Sequence, residues 1–224
     1  MPVARRSPIR QSAPRKPAVP AALEAPQQEL EPETTFRAVA FDGHDLSGRE
    51  SESVEFAQCR FRGADLSSSV LAQLSMTDCV VQVANWANVR ADGGAVRRVT
   101  FDESRMTGFS VTNGKLADVT FDQCRLDLSG WRFTGFDSVR FTGCNLTGAD
   151  FTNADLRGAR FTGCDLTGAQ FHHATMDGAR FRRCELDGIA GIASWRGAVV
   201  HPDDLPALSY ILAGGLGIKV DPED

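Results

Sequence analysis

Six cysteines and four histidines are the residues of this chain with the most chemistry to offer. Thiols at metal spacing would hold zinc, paired thiols would bridge, and a thiol beside an imidazole would make a nucleophile. The spacing supports none of these. Cys59 and Cys79 lie twenty apart, and Cys124, Cys144, Cys164 and Cys184 follow one another at the same interval. No CxxC pair and no Cys/His cluster occurs. Stacked neighbours would point in parallel, which is poor disulfide geometry. His44, His172, His173 and His201 have no partners at triad or metal spacing. The acidic residues recur as surface positions of a regular pattern, with no cleft in which to tune a carboxylate pair. The expectation is a protein without catalytic residues, metal or cofactor. Its cysteines read as small core residues, a use that suits a reducing cytoplasm.

The interval of twenty is four times a shorter one. From Phe36 to Leu186 every fifth residue is large and apolar, with Ser51 and Ala91 as the exceptions. One file of every fourth such residue reads Phe41, Phe61, Val81, Phe101, Phe121, Phe141, Phe161, Phe181. The next reads Leu46, Leu66, Trp86, Met106, Leu126, Leu146, Leu166, Leu186. Two residues before each large one sits a small one, as in Ala64, Ala154 and Cys164. A period of five fits neither a helix nor a strand. It fits a solenoid with two inward positions per unit, three outward or turning ones, and four units per coil. Like residues then stack, coil on coil, at about 4.8 Å. The 31 units from Phe36 to Leu186 make nearly eight coils, or roughly 37 Å of rod.

Proline is confined to residues 2–32 and 202–222, as a ladder that needs every backbone donor requires. No apolar run is long enough to span a membrane, and the N-terminus carries no secretory h-region. Residues 1–33 are rich in Pro, Ala, Arg and Glu with almost no large apolar residue, and are expected to be disordered. Residues 34–192 form the repeat and residues 193–224 a closing segment. In that segment Asp203 or Asp204 can cap a short helix carrying Leu205, Leu208, Ile211 and Leu212, with Gly214 and Gly215 stopping it. Leu216 to Val220 read as a short apolar strand. This segment plugs the last coil or pairs with a second copy.

The net charge is −5, from 24 basic and 29 acidic residues. In the C-terminal half the acids fall on three sides: Asp127, Asp165, Glu185 and Asp187 beside the Leu file, Asp137, Asp155 and Asp177 on the opposite side, and Asp150 between them. Arg140, Arg160, Arg180 and Arg182 line the Phe file. A rod about as wide as duplex DNA with regularly spaced carboxylates can imitate phosphates.

The unbroken register over residues 34–190 resembles the pentapeptide-repeat family, whose fold is a right-handed quadrilateral β-helix, an all-β solenoid. The terminal Trp195-Arg196-Gly197, the short helix and the closing Leu216-Gly217-Ile218-Lys219-Val220 are similar to the ends of the Qnr, MfpA and AlbG-type members. Those bind DNA gyrase, a type II topoisomerase, and protect it from quinolones or albicidin. The resemblance implies a homodimer through the C-terminal helix, at Trp195, Leu205, Leu208, Ile211 and Leu212. It implies DNA-like contacts at Asp127, Asp137, Asp150, Asp155, Asp165 and Asp177, with no direct DNA binding and no membrane partner. The implied mechanism is competition with DNA for gyrase or release of a drug-stalled cleavage complex. The register has no insertion that breaks the multiple of five, so the chain is closer to the loop-free MfpA type. Residues 48–53 and 91–94 are the two places where the pattern is irregular, and the sequence leaves open whether either bulges outward as a small substitute for a loop. The arginine edge departs from a uniform DNA mimic. The rival reading is an interaction module with an unrelated partner, since fold alone does not give function; a weaker one is a nucleic-acid binder using the basic tail and the arginines.

Overall fold

The computed structural model describes residues 13–219. The chain winds as a β-solenoid of about eight turns that ends in one short helix. Every pairing is parallel and almost every one joins residue i to i+20, from Phe36 on Phe56 to Phe161 on Phe181. The large residue of each unit points inward and is buried, except Leu46, which is half-buried; its two neighbours face outward, and a turn follows. That alternation gives strands of only three residues on most sides, such as Arg60–Arg62 and Val70–Ala72. Three longer strands, Ala95–Asp102, Lys115–Asp122 and Gly135–Thr142, run around a corner, with Arg98, Asp118 and Ser138 in the left-handed region at the bend.

The aromatic stack matches the coil height. Phe101, Phe121, Phe141, Phe161 and Phe181 lie with nearly parallel rings 4.8 or 4.9 Å apart, the spacing of hydrogen-bonded strands. The six cysteines are free and buried. Cys144 and Cys164 are each pushed up to about 12, first by the hydrogen bond to the preceding cysteine of the file. Neither irregular stretch bulges outward. Residues 48–53 and 91–94 keep the register, with the Gly48 amide on Ser67 O and the Gly93 amide on Thr112 O. Ser51 and Ala91 are buried like the large residues they replace.

Residues 13–33, expected to be disordered, lie along the rod; residues 1–12 fall outside the described part. Glu24 pairs with Val39 of the first coil, and Leu30 is buried at that end. The backbone of Ala18 bonds to Asp78 and Gln58, and Arg15 reaches Asp118 through both its amide and its guanidinium. Low hydropathy did not keep this stretch free, because a file of polar corner residues, Gln58, Asp78, Arg98 and Asp118, offers it partners.

The other end closes differently. Val199 and Val200 pair with Arg180 and Phe181, a register of nineteen, so the last coil is one residue short. Gly191 starts that departure at φ 81°, where a side chain would drive its Cβ to 2.5 Å from the His172 amide nitrogen. Trp195 then covers the core, stacked 4.5 Å from Phe181 and edge-on to Phe171. Helix α1 (Leu205–Gly215) follows a 3-10 turn at Pro202–Asp204. Asp204 stands at the start of α1 but does not cap it. Its carboxylate is buried and accepts the amides of Arg183 and Cys184, which the last coil would otherwise leave open. Residues 216–219 form a turn and irregular chain, not the expected strand; Val220 lies outside the described residues.

Candidate interaction surfaces

Four flat sides meet at corners where every fifth residue has positive φ. Each side takes the name of its inward file. The Leu side carries one outward file that reads Asp45, Asp65, Asn85, Arg105, Arg125, Asn145, Asp165, Glu185 in register. It is acidic at both ends and basic in the middle. Asp127 lies on this side and accepts the Thr107 hydroxyl at 2.9 Å. Asp165 accepts the Thr167 amide at 2.9 Å, and hydrogen bonding from Thr167 holds its carboxyl below the usual value.

The opposite side, under Phe136, Leu156 and Met176, holds Asp137, Asp155 and Asp177. The register places Arg157 in the same file as Asp137 and Asp177, between them. Arg157 also grips Asp155 with a two-toothed contact, Nε to Oδ1 at 2.8 Å and a terminal nitrogen to Oδ2 at 2.5 Å. On the side of Trp131, Asp150 has the Arg132 Nε at 3.5 Å. The six aspartates are thus half-buried and spread over three sides, and Asp150 and Asp155 among them are ion-paired. They do not line up as one unbroken file of charge.

A different feature stands out on the Trp131 side. Leu128 and Phe133 occupy the two corners that bound it in one coil, at φ 58° and 57°. They are 68% and 57% exposed. Left-handed backbone costs a bulky side chain about 1–2 kcal/mol. Two large apolar side chains therefore stand in strained backbone and in water, bracketing Arg132 and Asp150, with Asp127 just outside the Leu128 corner. The signal was in the sequence: in the corner file, filled mostly by Gly, Asn, Asp, Ser and Gln, large apolar residues appear at Val83, Leu128 and Phe133.

The residues expected at a dimer interface divide into two sets. Trp195 and Leu208 are buried in their own chain, and Ile211 packs against the core, so these close the rod. Leu205 and Leu212 are 49% and 43% exposed and share a stripe of α1 seven residues apart, with Leu216 and Tyr210 exposed nearby. Among the described residues no cluster of His, Cys, Asp and Glu is arranged to hold a metal, and no helix is long and apolar enough to cross a membrane.

Residues 115–190 match the family described as pentapeptide repeat region. Among solved structures, the chain is similar to HetL, a pentapeptide repeat protein involved in heterocyst differentiation regulation from the cyanobacterium Nostoc sp. strain PCC 7120. Identity is 15%, over 75% of this chain and 85% of that one, with a TM-score of 0.44. It is also similar to QnrB1, a plasmid-mediated fluoroquinolone resistance protein. One trypsin-treated variant of QnrB1 is 22% identical over 85% of this chain and 96% of that one, with a TM-score of 0.31. The full-length form is 20% identical over 83% and 100%, with a TM-score of 0.26. No curated protein matches the sequence.

Proposed function

We propose that this chain is a non-catalytic binding rod whose partner is DNA gyrase or a related type II topoisomerase, and that its binding modulates or protects that enzyme under a gyrase-targeting drug. The observation that carries a protein partner is the pair Leu128 and Phe133, exposed and strained, flanked by Asp127 and Asp150. Apolar anchors inside a charged rim are how protein interfaces concentrate their energy. The acidic ends of the Leu side, Asp165 and Glu185, and the carboxylates Asp137 and Asp177 supply the rim that a DNA-binding channel would accept. The choice of enzyme rests on the resemblance of the closing segment, from Trp195 onward, to the ends of the Qnr and MfpA type. The exposed stripe of Leu205 and Leu212 supports pairing of two copies end to end, which would double the length of rod presented.

The test is a gyrase supercoiling and DNA-cleavage assay with and without a poison. Wild-type protein is expected to reduce poison-stabilised breaks. The double variant Leu128→Gly, Phe133→Gly is expected to lose that effect while unfolding no earlier, because glycine relieves the left-handed strain at both corners. Protection that survives in this variant, or neither protection nor inhibition by the wild type, overturns the reading.

A further inference from the structure

The chain ahead of the first coil does more than close the rod. Glu24 pairs with Val39 and Leu30 is buried over the first coil, which is what that end requires. Residues 13–20 run on along the corner file of Gln58, Asp78, Arg98 and Asp118, where they cover no open edge and none of them is fully buried. Pro14, Pro17, Pro20, Leu23 and Pro26, every third residue, are half-buried, and the residues between them are exposed, Val19 excepted. A period of three carried by proline is that of a polyproline II helix.

The period of this arm matches that of the rod. Three residues of polyproline II rise about 9.3 Å, and two coils rise about 9.6 Å. The contacts fall at that interval. Asp118 accepts the Arg15 amide at 3.1 Å and its Nε at 2.7 Å. Three residues on and two coils back, Asp78 accepts the Ala18 amide at 3.1 Å, and Gln58 Nε2 donates to the Ala18 carbonyl at 3.2 Å. Arg98, between the two aspartates in the file, holds Asp78 in place with its Nε at 2.7 Å. We infer that this corner is a docking track for proline-rich peptides of the spacing Pro-Arg-x-Pro-x-x-Pro, that residues 14–20 are its resident ligand, and that a segment of the same chemistry on another polypeptide displaces them. Such segments lose little conformational freedom on binding. The Arg15 side chain is 50% exposed, so salt weakens its ion pair. The arm is held by rod side chains rather than by a ladder of strand bonds, which sets it at the low end of local stability. The track lies diagonally across the rod from the Leu128 corner and does not depend on the topoisomerase reading.

The experiment titrates a fluorescein-labelled synthetic peptide of residues 13–26 with the full chain at low salt, read by anisotropy. Arg15→Glu with Pro17→Gly loosens the resident arm and leaves the track intact. Elastase, which cuts after small residues, is expected to nick that variant between Ala18 and Ala22 at least ~10-fold faster than wild type, the loss of one charge-assisted contact. The loosened variant is expected to bind the peptide, and wild type at least ~10-fold more weakly, because its tethered arm competes at high effective concentration. Adding Gln58→Ala and Asp118→Asn to the loosened variant is expected to abolish binding. If circular dichroism shows that variant unfolded, Gln58→Ala alone decides, with a loss of roughly 2–10-fold expected for one hydrogen bond. A shuffled peptide with its prolines out of period and a peptide carrying Arg15→Glu are expected not to bind. Nicking no faster in the loosened variant, a nicked variant that binds no peptide, equal binding by wild type and loosened variant, binding unchanged by the track substitutions, or equal binding of either control peptide overturns the inference.

Discussion

Replacing Asp204 by alanine should unravel the C-terminal end of the rod first. The side chain is 4% exposed, and its two oxygens accept the Arg183 and Cys184 amides, each at 3.1 Å. Alanine leaves both donors without a partner at a buried edge. Each buried donor so orphaned costs about 1–3 kcal/mol, and water reaching the rod end recovers part of this. The net loss is then about 2–4 kcal/mol, or roughly 4–16 °C in Tm for a chain of this size. Asparagine keeps one acceptor and sets an amide against the other donor, so Asp204→Asn should fall between. Loss of helix capping cannot account for the effect, since the carboxylate makes no cap bond to α1. Thermal unfolding with residue-resolved hydrogen exchange is the assay. Because a solenoid is held coil by coil, exchange should rise at Arg183 and Cys184 before it rises at Val119 or Val99. A Tm within about 2 °C of wild type, or exchange that rises evenly along the rod, refutes the assignment of Asp204 as the closure of the last coil.

Two further outcomes follow from the core and from the Asp78–Arg98 pair at one corner. Phe161 lies buried between Phe141 and Phe181, so Phe161→Ala should cost about 3–5 kcal/mol and Phe161→Asp should open the neighbouring coils, both read by denaturant unfolding and exchange. The hydrogen bond from Arg98 holds the Asp78 carboxyl below its ordinary 3.8. Its contribution is therefore complete above that pH and is lost as pH falls through the lower folded value. The stability gap between wild type and Asp78→Asn should be constant at neutral pH and shrink below 3.8, and a gap that grows on acidification refutes the pairing.

How much could be read beforehand differs from place to place, for physical reasons. The rod was legible because its signal is redundant: Phe101, Phe121, Phe141, Phe161 and Phe181 repeat one local environment, so a single spacing fixes the register many times over. The ends were not, because each end is made once. Trp195 and Leu208 looked like residues for a second copy, since apolarity alone does not say which surface it covers. A register of nineteen at Val199 brings Trp195 over Phe181, and Asp204 back to Cys184, and neither contact has a counterpart earlier in the chain to announce it. Arg157 was hidden for another reason. Charge was legible side by side but not neighbour by neighbour, and one arginine between Asp137 and Asp177 turns a phosphate-like run into a paired cluster. Leu128 and Phe133 break the corner rule at two successive corners, and Val83 breaks it at one, so the pair marks where folding was not the only pressure on the sequence. A residue that costs the fold and repays nothing within it is best explained by what it touches outside. Strain and exposure at Leu128 and Phe133 thus mark the proposed binding side of the rod, and the aspartates keep the lesser role of setting which partner approaches.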